Sequence, residues 1–459
     1  MGHVLAAAPG VERFHLVDRW LRELTARGHR TEVLCVDEAD FLFWSAQGHS
    51  SSLVSPQTNA AAKADLRLQV PLREFAELDC RRMRRAARGS TLRRAEQRLL
   101  RLLPGLIRRF EVDAPDLVLL HQRRTGAHAM LQFVAREFGV RVLWTGDGLL
   151  PGTMQIDEGG LDGDARASRR SAWDFRSLPS EDEFLRAAMT GVVGRNHPPG
   201  LARRKVQRPP LLTRIGAALR GRAEGTGPGF WSGFRCWQRA EPRPTHPART
   251  IEMPRDPFVV VLLQSRDDAR VLLDGTTSLA PEQLLRAVRD AVNLVDRSMP
   301  IVAVLPAAGI DERDLRPLRD MEGVVLELAH AEIEACIAAT AVVTINAPHA
   351  AIALLADTPV LHLERALYGI PGVAVRCTLP DLAASLQRAL SEDQPELRRR
   401  CLSWLFRHGH LWCDPEEPDY NGLCGLIMQV ERRLGGSPLA GSNLEYRAGP
   451  AWPLAAEGR

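Results

Sequence analysis

The segment VVTINAPHAAIALLADTPVLHLERALYGIPG, residues 342–372, decides the fold prediction. Its apolar start predicts a buried strand that ends at the polar residue Asn346, followed by a short helix, a second buried strand from Pro359 to Leu363 and a loop that contains Tyr368. A strand, a helix and a second strand form one step of a parallel α/β sheet, and ligands of such sheets bind at the carboxyl ends of the strands. The sequence therefore predicts an α/β domain with a binding site beside Asn346.

Two α/β halves are predicted on either side of a segment rich in Gly, Pro and Arg. The first half opens with a strand at Val4–Ala8, and the second half restarts with an apolar run after Pro257. Strands that alternate with helices in this way are typical of parallel, Rossmann-like sheets. The predicted organisation is an N-terminal Rossmann-like domain at 1–156, an irregular insertion and linker at 157–255 with a possible helix at Ser180–Val192, a C-terminal Rossmann-like domain at 256–394, closing helices at 395–435 and a loose tail at 436–459.

The basic residues of this chain are almost all arginine. Only Lys63 and Lys205 are lysines among the 60 basic residues, so Schiff-base chemistry is not favoured. The many arginines favour partners that carry phosphate or carboxylate groups. The formal net charge of +4 is too small to argue for nucleic acid. The basic segment 201–222 is compatible with an anionic membrane surface or with a disordered loop.

The cysteines and the N-terminus predict a cytoplasmic location. Peripheral association with the inner membrane is compatible with this prediction. Eight cysteines are scattered without C-x-x-C spacing, the N-terminus lacks the features of a signal peptide, and no apolar stretch is long enough to span a membrane. Cys401, His408, His410 and Cys413 match no standard zinc spacing, so no metal site is predicted.

A second polar site is predicted at WTGDGLLPGT, residues 144–153. Asp147 lies between two glycines directly after a buried strand, where a substrate can approach its carboxylate. The alternative is a simple Asp-Gly turn. The acidic segment that follows, which contains Glu158, favours a functional site.

The segments around Asp147 and Asn346 resemble the capsule polysaccharide biosynthesis family, which includes the bacterial Kdo transferases. Asn346, Pro359, Tyr368 and the Pro371-Gly372 pair match its nucleotide-sugar half. The resemblance implies two Rossmann-like domains that face a cleft, the GT-B type of glycosyltransferase, with C-terminal helices packing back. It also implies catalysis without a metal ion or another cofactor.

The resemblance assigns roles residue by residue. It implies that Asp147 is the catalytic acid/base or nucleophile. His349 has no counterpart in the family pattern and is a candidate either for a phosphate donor or for a helix cap. The remaining candidates are Arg124, His128 and Glu158 for the acceptor or sugar, and Gln264, Asp268, Pro306, Asn346, His349 and Tyr368 for the nucleotide.

Three positions depart from the family pattern. Leu305, Ala347 and Ile352 stand where a histidine, a serine and a glutamate are expected to hold the nucleotide. Each lost hydrogen bond to a charged group costs about 1.5–3 kcal/mol. Other residues therefore substitute, or the donor differs, or the site is inactive.

The expected function is transfer of an acidic, Kdo-like sugar from a CMP donor to a glycolipid or polysaccharide acceptor. Two alternatives stay open. One is a non-catalytic family member that acts as a scaffold in polysaccharide assembly. The other is a transferase that uses a UDP-sugar or GDP-sugar.

Overall fold

The computed structural model describes residues 1–8, 14–54, 69–82, 89–122, 125–194, 253–266, 268–275, 279–305, 312–319, 321, 324–327, 332–392, 394–415 and 418–435. Within these residues the chain forms two mainly parallel sheets, each with helices beside it. The prediction of two Rossmann-like domains is confirmed by this topology.

The first sheet has seven strands among the described residues, in the order β3-β2-β1-β4-β5-β6-β13. The five neighbouring strands β3, β2, β1, β4 and β5 are parallel to one another. Strand β6 runs antiparallel to β5, and β13 runs antiparallel to β6. The chain therefore returns from its C-terminal part to complete the edge of the first sheet. The strands are β1 (His3–Ala7), β2 (Arg30–Cys35), β3 (Ser51–Leu53), β4 (Leu117–His121), β5 (Arg141–Asp147), β6 (Thr153–Asp157) and β13 (His410–Trp412).

Helices pack on both faces of this sheet, with one hydrophobic core on each face. In α4, for example, Leu99, Leu103 and Leu106 are fully buried. The described helices are α1 (Phe14–Ala26), α2 (Glu38–Ala46), α3 (Leu72–Arg82), α4 (Gly89–Asp113), α5 (Gly126–Glu137) and α6 (Asp182–Gly194), with 3-10 turns at Asp162–Asp164, Ala167–Arg169 and Ala172–Phe175. Helix α6 confirms the helix predicted at Ser180–Val192.

The second sheet is entirely parallel in its described strands, in the order β9-β8-β7-β10-β11-β12. Its central strands are runs of Val, Ile, Ala and Leu that are buried on both faces, as expected for a sheet covered by helices. The strand order reverses between β7 and β10, which makes the carboxyl ends of these two strands the place where a ligand is expected. The strands are β7 (Val259–Leu262), β8 (Ile301–Val304), β9 (Val324–Glu327), β10 (Ala341–Thr344), β11 (Val360–His362) and β12 (Val375–Arg376).

Helices follow most strands of the second half, and two more close the chain. These are α7 (Ala269–Asp274), α8 (Pro281–Val295), α9 (Glu312–Arg319), α10 (Glu332–Ala338), α11 (Ala350–Leu355), α12 (Leu382–Ser391), α13 (Pro395–His408) and α14 (Tyr420–Gly435). Helix α14 returns to the first half, because Leu426 and Ile427 share a core with Val4 and Leu21. The prediction that the C-terminal helices pack back is confirmed.

One hydrophobic core is shared by the two halves. Leu149 and Leu150, which follow β5, lie in the same cluster as Val260 of β7, Val342 of β10 and Leu402 of α13. This core brings the carboxyl end of β5 next to the second sheet. Within the described residues no helix is both long and apolar enough to cross a membrane.

Candidate functional site

The carboxyl ends of β7 and β10 are joined by a network of side-chain amides. The Gln264 Nε2 donates to Asn346 Oδ1 at 3.0 Å, and Gln264 Oε1 accepts from the Asn346 main-chain N–H at 2.9 Å. The hydroxyl of Thr344 donates to the Leu262 carbonyl at 3.1 Å and accepts from the Ala347 N–H at 3.1 Å. These bonds fix the loops that follow the two strands at the reversal point of the sheet.

Asn346 also fixes two neighbouring loops. Its Nδ2 donates to the main-chain carbonyls of Arg270 at 3.1 Å and Arg365 at 3.2 Å. Together with the hydrogen bond from Gln264, these contacts mean that both the oxygen and the nitrogen of the Asn346 side chain have partners within the protein. The two amides predicted to bind the nucleotide therefore also hold the site together.

Tyr368 and Asp268 shape the same loops. The Tyr368 hydroxyl donates to the Ala347 carbonyl at 2.7 Å, and burial raises the pKa of this fully buried side chain. Asp268 precedes α7 and accepts from the Arg270 main-chain N–H at 2.8 Å, so it caps that helix. Its other carboxylate oxygen accepts from Gln264 Nε2 at 3.3 Å.

Arg270 connects the second half to the carboxyl end of β5. Its Nη2 donates to the main-chain carbonyl of Asp147 at 3.3 Å, and its Nε donates to the Asp162 carboxylate at 2.9 Å. Burial lowers the pKa of Arg270, but the carboxylates of Asp162, Asp268 and Asp147 outweigh this effect and raise it. Arg270 is not among the site residues predicted from the sequence.

Asp147 ends β5 and is held by tight packing on both sides. A Cβ at Gly146 would lie 2.7 Å from a methyl group of Leu161, and a Cβ at Gly148 would lie 2.9 Å from the Thr153 carbonyl carbon. Only glycine fits these two positions without displacing a neighbour. The Gly-Asp-Gly pattern therefore serves the close approach of β5, β6 and the following loop, and leaves the Asp147 side chain half-buried at the strand end.

His349 is paired with Glu332. Its Nδ1 is 2.9 Å from Glu332 Oε2, and 32% of the histidine side chain is exposed. Burial and Arg270 lower the pKa of His349, whereas Glu332 and Asp147 raise it, and the net direction is upward. His349 sits at the N-cap position of α11 but makes no capping hydrogen bond with its side chain.

The residues predicted to bind the acceptor lie elsewhere in the first half. His128 is buried in the first turn of α5, with Nδ1 2.6 Å from the Thr125 hydroxyl. Glu158 pairs with Arg433 at 3.0 Å and with Arg166 at 2.9 Å, so it anchors α14 to the segment after β6. Arg124, Pro306 and the basic segment 201–222 lie outside the described residues.

A cluster of possible metal ligands lies away from this site. Donor atoms of His3, Glu32 and Asp113 lie within 4.8 Å of one another. Arg109 is 2.7 Å from Glu32, and Arg30 is 2.7 Å from Asp113. These guanidinium groups already neutralise the carboxylates, so the cluster has the character of an ion-pair network.

The side chains at the carboxyl ends of β5, β7 and β10 can accept a proton and bind an anionic ligand. They combine the Asp147 carboxylate with the Arg270 guanidinium and with the imidazole of His349, which Glu332 favours in its charged form. Leu305, Ala347 and Ile352 are buried and apolar, so their side chains offer no polar contact to a ligand.

Several solved structures, glycosyltransferases among them, align with nearly the whole chain. The spinosyn forosaminyltransferase SpnP is 15% identical, with 95% of this chain and 100% of that chain covered and a TM-score of 0.34. The glycosyltransferase SnogD from Streptomyces nogalater is 16% identical over 94% of this chain and 100% of that chain, with a TM-score of 0.34. The S. aureus MnaA–UDP co-structure is 10% identical over 95% of this chain and 97% of that chain, with a TM-score of 0.33.

These similarities are too low to bear on activity, and the fold assignment therefore rests on strand order and register. No protein-family model matches the sequence, and no curated protein sequence matches it either.

Proposed function

We propose that this protein is a glycosyltransferase that transfers a sugar from a nucleotide donor, with the reaction centre at Asp147. The proposal is carried by the hydrogen bond from Arg270 to the main-chain carbonyl of Asp147, since it holds this cation at the end of β5. The Asp147 carboxylate is close enough to Arg270 to raise the pKa of its guanidinium. A transferase needs both groups, because an acceptor hydroxyl loses a proton while the leaving phosphate gains negative charge.

In this mechanism Asp147 accepts the proton of the acceptor hydroxyl as the oxygen attacks the anomeric carbon of the donor sugar. Arg270 and His349, on both of which the Asp147 carboxylate acts electrostatically, stabilise the charge on the leaving phosphate. Gln264 and Asn346 hold the loops that carry these cations. No step in this scheme is assigned to a metal ion or another cofactor.

The finer proposal is that the donor is a CMP-sugar with an acidic, Kdo-like sugar, and that the acceptor is a glycolipid or polysaccharide at the inner membrane face. It rests on the resemblance of the sequence to the capsule polysaccharide biosynthesis family. Two cations suit the single phosphate of CMP. The Arg270 guanidinium also faces the Asp162 carboxylate, with which the phosphate must compete.

A non-catalytic scaffold is the second candidate, and one observation favours it. The amides of Gln264 and Asn346 are engaged in internal hydrogen bonds, and the three positions that depart from the family pattern are apolar. Strand ends held together in this way are compatible with a fold that is retained without catalysis.

Calorimetric titration with CMP, UDP and GDP tests the donor site. Micromolar binding that is selective for CMP supports the finer proposal, whereas selective UDP or GDP binding keeps the transferase and rejects the Kdo-like donor. The absence of binding to a folded protein would favour the scaffold.

The Asp147→Asn variant tests the chemistry. With CMP-Kdo and a membrane glycolipid extract, we expect turnover to fall about 100- to 10 000-fold while nucleotide affinity is retained, because a general base is lost. Asp290→Asn is the matched control, since Asp290 is an exposed residue of α8. Equal activity of the two variants would contradict the role of Asp147.

A further inference from the structure

The pair formed by His349 and Glu332 has a geometry that the proposed reaction does not by itself require. Glu332 opens α10, and His349 precedes α11, so two different helices supply the two side chains. The contact joins His349 Nδ1 to Glu332 Oε2 at 2.9 Å. Among the described residues, this is the hydrogen bond that the His349 ring makes, and its Nε2 is left for another partner.

We propose that Glu332 is a positioning residue that holds His349 through Nδ1, so that Nε2–H donates a hydrogen bond to the phosphate of the nucleotide donor. This inference rests on the proposed function, because it names the group that would hold the leaving phosphate. The histidine at position 349 has no counterpart in the family pattern of the sequence.

The charges around His349 agree with this role. The ring is faced by Glu332 from α10, by Arg270 from α7 and by Asp147 from the end of β5. Burial and Arg270 disfavour the imidazolium, while the two carboxylates favour it, and the carboxylates prevail. A carboxylate on Nδ1 both orients the ring and stabilises the form in which Nε2 carries a proton. Leu305, buried at the carboxyl end of β8, cannot supply such a donor.

Histidine NMR titration measures this coupling without depending on catalysis. His349→Gln identifies the His349 signal among the 13 histidines. We expect His349 to titrate above the ordinary histidine pKa, and Glu332→Gln to lower its pKa by about one unit or more. Glu334→Gln is the matched control, because Glu334 is an exposed residue of the same helix, and it should leave the pKa of His349 unchanged.

The same variants test the phosphate contact by calorimetry with CMP between pH 5.5 and 9. In the unmodified protein, affinity should fall about tenfold per pH unit above the pKa of His349. In Glu332→Gln the onset of this fall should move to lower pH by the same amount as the NMR pKa, and His349→Gln should abolish it.

The outcomes separate the two proposals. An unchanged His349 pKa in a folded Glu332→Gln protein would overturn the role of Glu332, whatever the protein binds. A shifted pKa with an unshifted CMP profile would overturn the phosphate contact alone. If UDP or GDP binds in place of CMP, that nucleotide is used in the same titration. If none of the three binds, the proposed function fails together with the phosphate contact, although the Glu332–His349 coupling itself has been measured.

Discussion

The Nε2 atom of His410 accepts a hydrogen bond of 3.1 Å from the main-chain N–H of Leu149, two residues after Asp147. The Nδ1 atom of the same ring lies 3.1 Å from the Leu405 carbonyl and donates to it. This pattern needs the neutral ring, and burial indeed lowers the pKa of His410 to about 4. A residue of β13 thus holds the loop that follows the proposed catalytic carboxylate.

Replacing His410 by Phe should destabilise the protein by about 1–3 kcal/mol, because the variant leaves the buried N–H of Leu149 without its acceptor. The aromatic ring is kept, so loss of packing contributes little. Urea unfolding monitored by Trp fluorescence measures the change. A loss below about 0.5 kcal/mol, the range of an ordinary surface substitution, would show that this bond does not stabilise the loop.

Stability should fall as the pH drops from about 6.5 towards 4. His362 and His410 are both buried, and burial lowers the pKa of each from 6.5 to about 4. Between these values the unfolded chain binds more protons than the folded chain, so each histidine reduces the free energy of unfolding by about 1.4 kcal/mol per pH unit as the pH falls.

Urea unfolding at pH 6.5, 5.7 and 5.0 isolates this effect. Glu32, whose pKa is lowered to about 2 by His3, Ser52 and Arg109 against the opposing effect of burial, contributes only below about pH 4.5. The raised pKa of His349 acts above 6.5. Burial also lowers the pKa of His408, which adds to the slope. His410→Phe should therefore reduce the pH slope by about 1.4 kcal/mol per pH unit, and an unchanged slope would contradict the assignment.

Substitution of Gly148 by Ala should disturb the Asp147 loop. The added methyl would overlap the Thr153 hydroxyl and lie 3.0 Å from His410 Cδ2, so the backbone has to shift. We expect a loss of about 1–3 kcal/mol in the free energy of unfolding, as for overpacked sites. Gly425→Ala in α14 is the control, because its new methyl would lie 3.5 Å from Leu411 and alanine favours the helix. Thermal unfolding that ranks the two variants in the opposite order would refute the packing argument.

The two arginines that reach the Asp162–Asp164 turn should differ in importance. Arg270 and Asp162 have side chains that are 19% and 16% exposed, whereas Arg365 and Asp164 are 46% and 40% exposed. Losing a hydrogen bond between charged groups in the more buried pair should cost about 1.5–3 kcal/mol. The exposed pair is worth at most about 1 kcal/mol.

A double-mutant cycle with Arg270→Gln and Asp162→Asn measures the first pair, and one with Arg365→Gln and Asp164→Asn measures the second. We expect a coupling energy of about 1 kcal/mol or more only in the first cycle. Comparable values in both cycles would mean that burial does not distinguish the two contacts.

The sequence by itself determined the strands and helices that can be recognised from the local spacing of apolar residues. Strand β11 lies within the predicted Pro359–Leu363, and α6 overlaps the predicted helix Ser180–Val192. Short apolar runs that are buried on both faces predict strands of a parallel sheet, and apolar residues at helical spacing predict the helices that cover it. The positions of Asp147 and Asn346 at strand ends followed from the same patterns.

Only the tertiary structure decided the strands that depend on a distant partner. The short strand β3 and the antiparallel strands β6 and β13 were not predicted, since their mixed composition resembles that of loops. Strand β13 pairs with β6 through His410 and Gln155, which lie far apart in the chain. No local pattern encodes such a pairing.

The same distinction applies to the candidate site. Local sequence places a carboxylate between two glycines and an asparagine after a strand, because both are features of consecutive residues. The contacts of Asp147 with Arg270 and of His349 with Glu332 arise when different loops converge. The shared hydrophobic core between the halves sets that convergence, and side-chain charge then decides which of the converging groups pair.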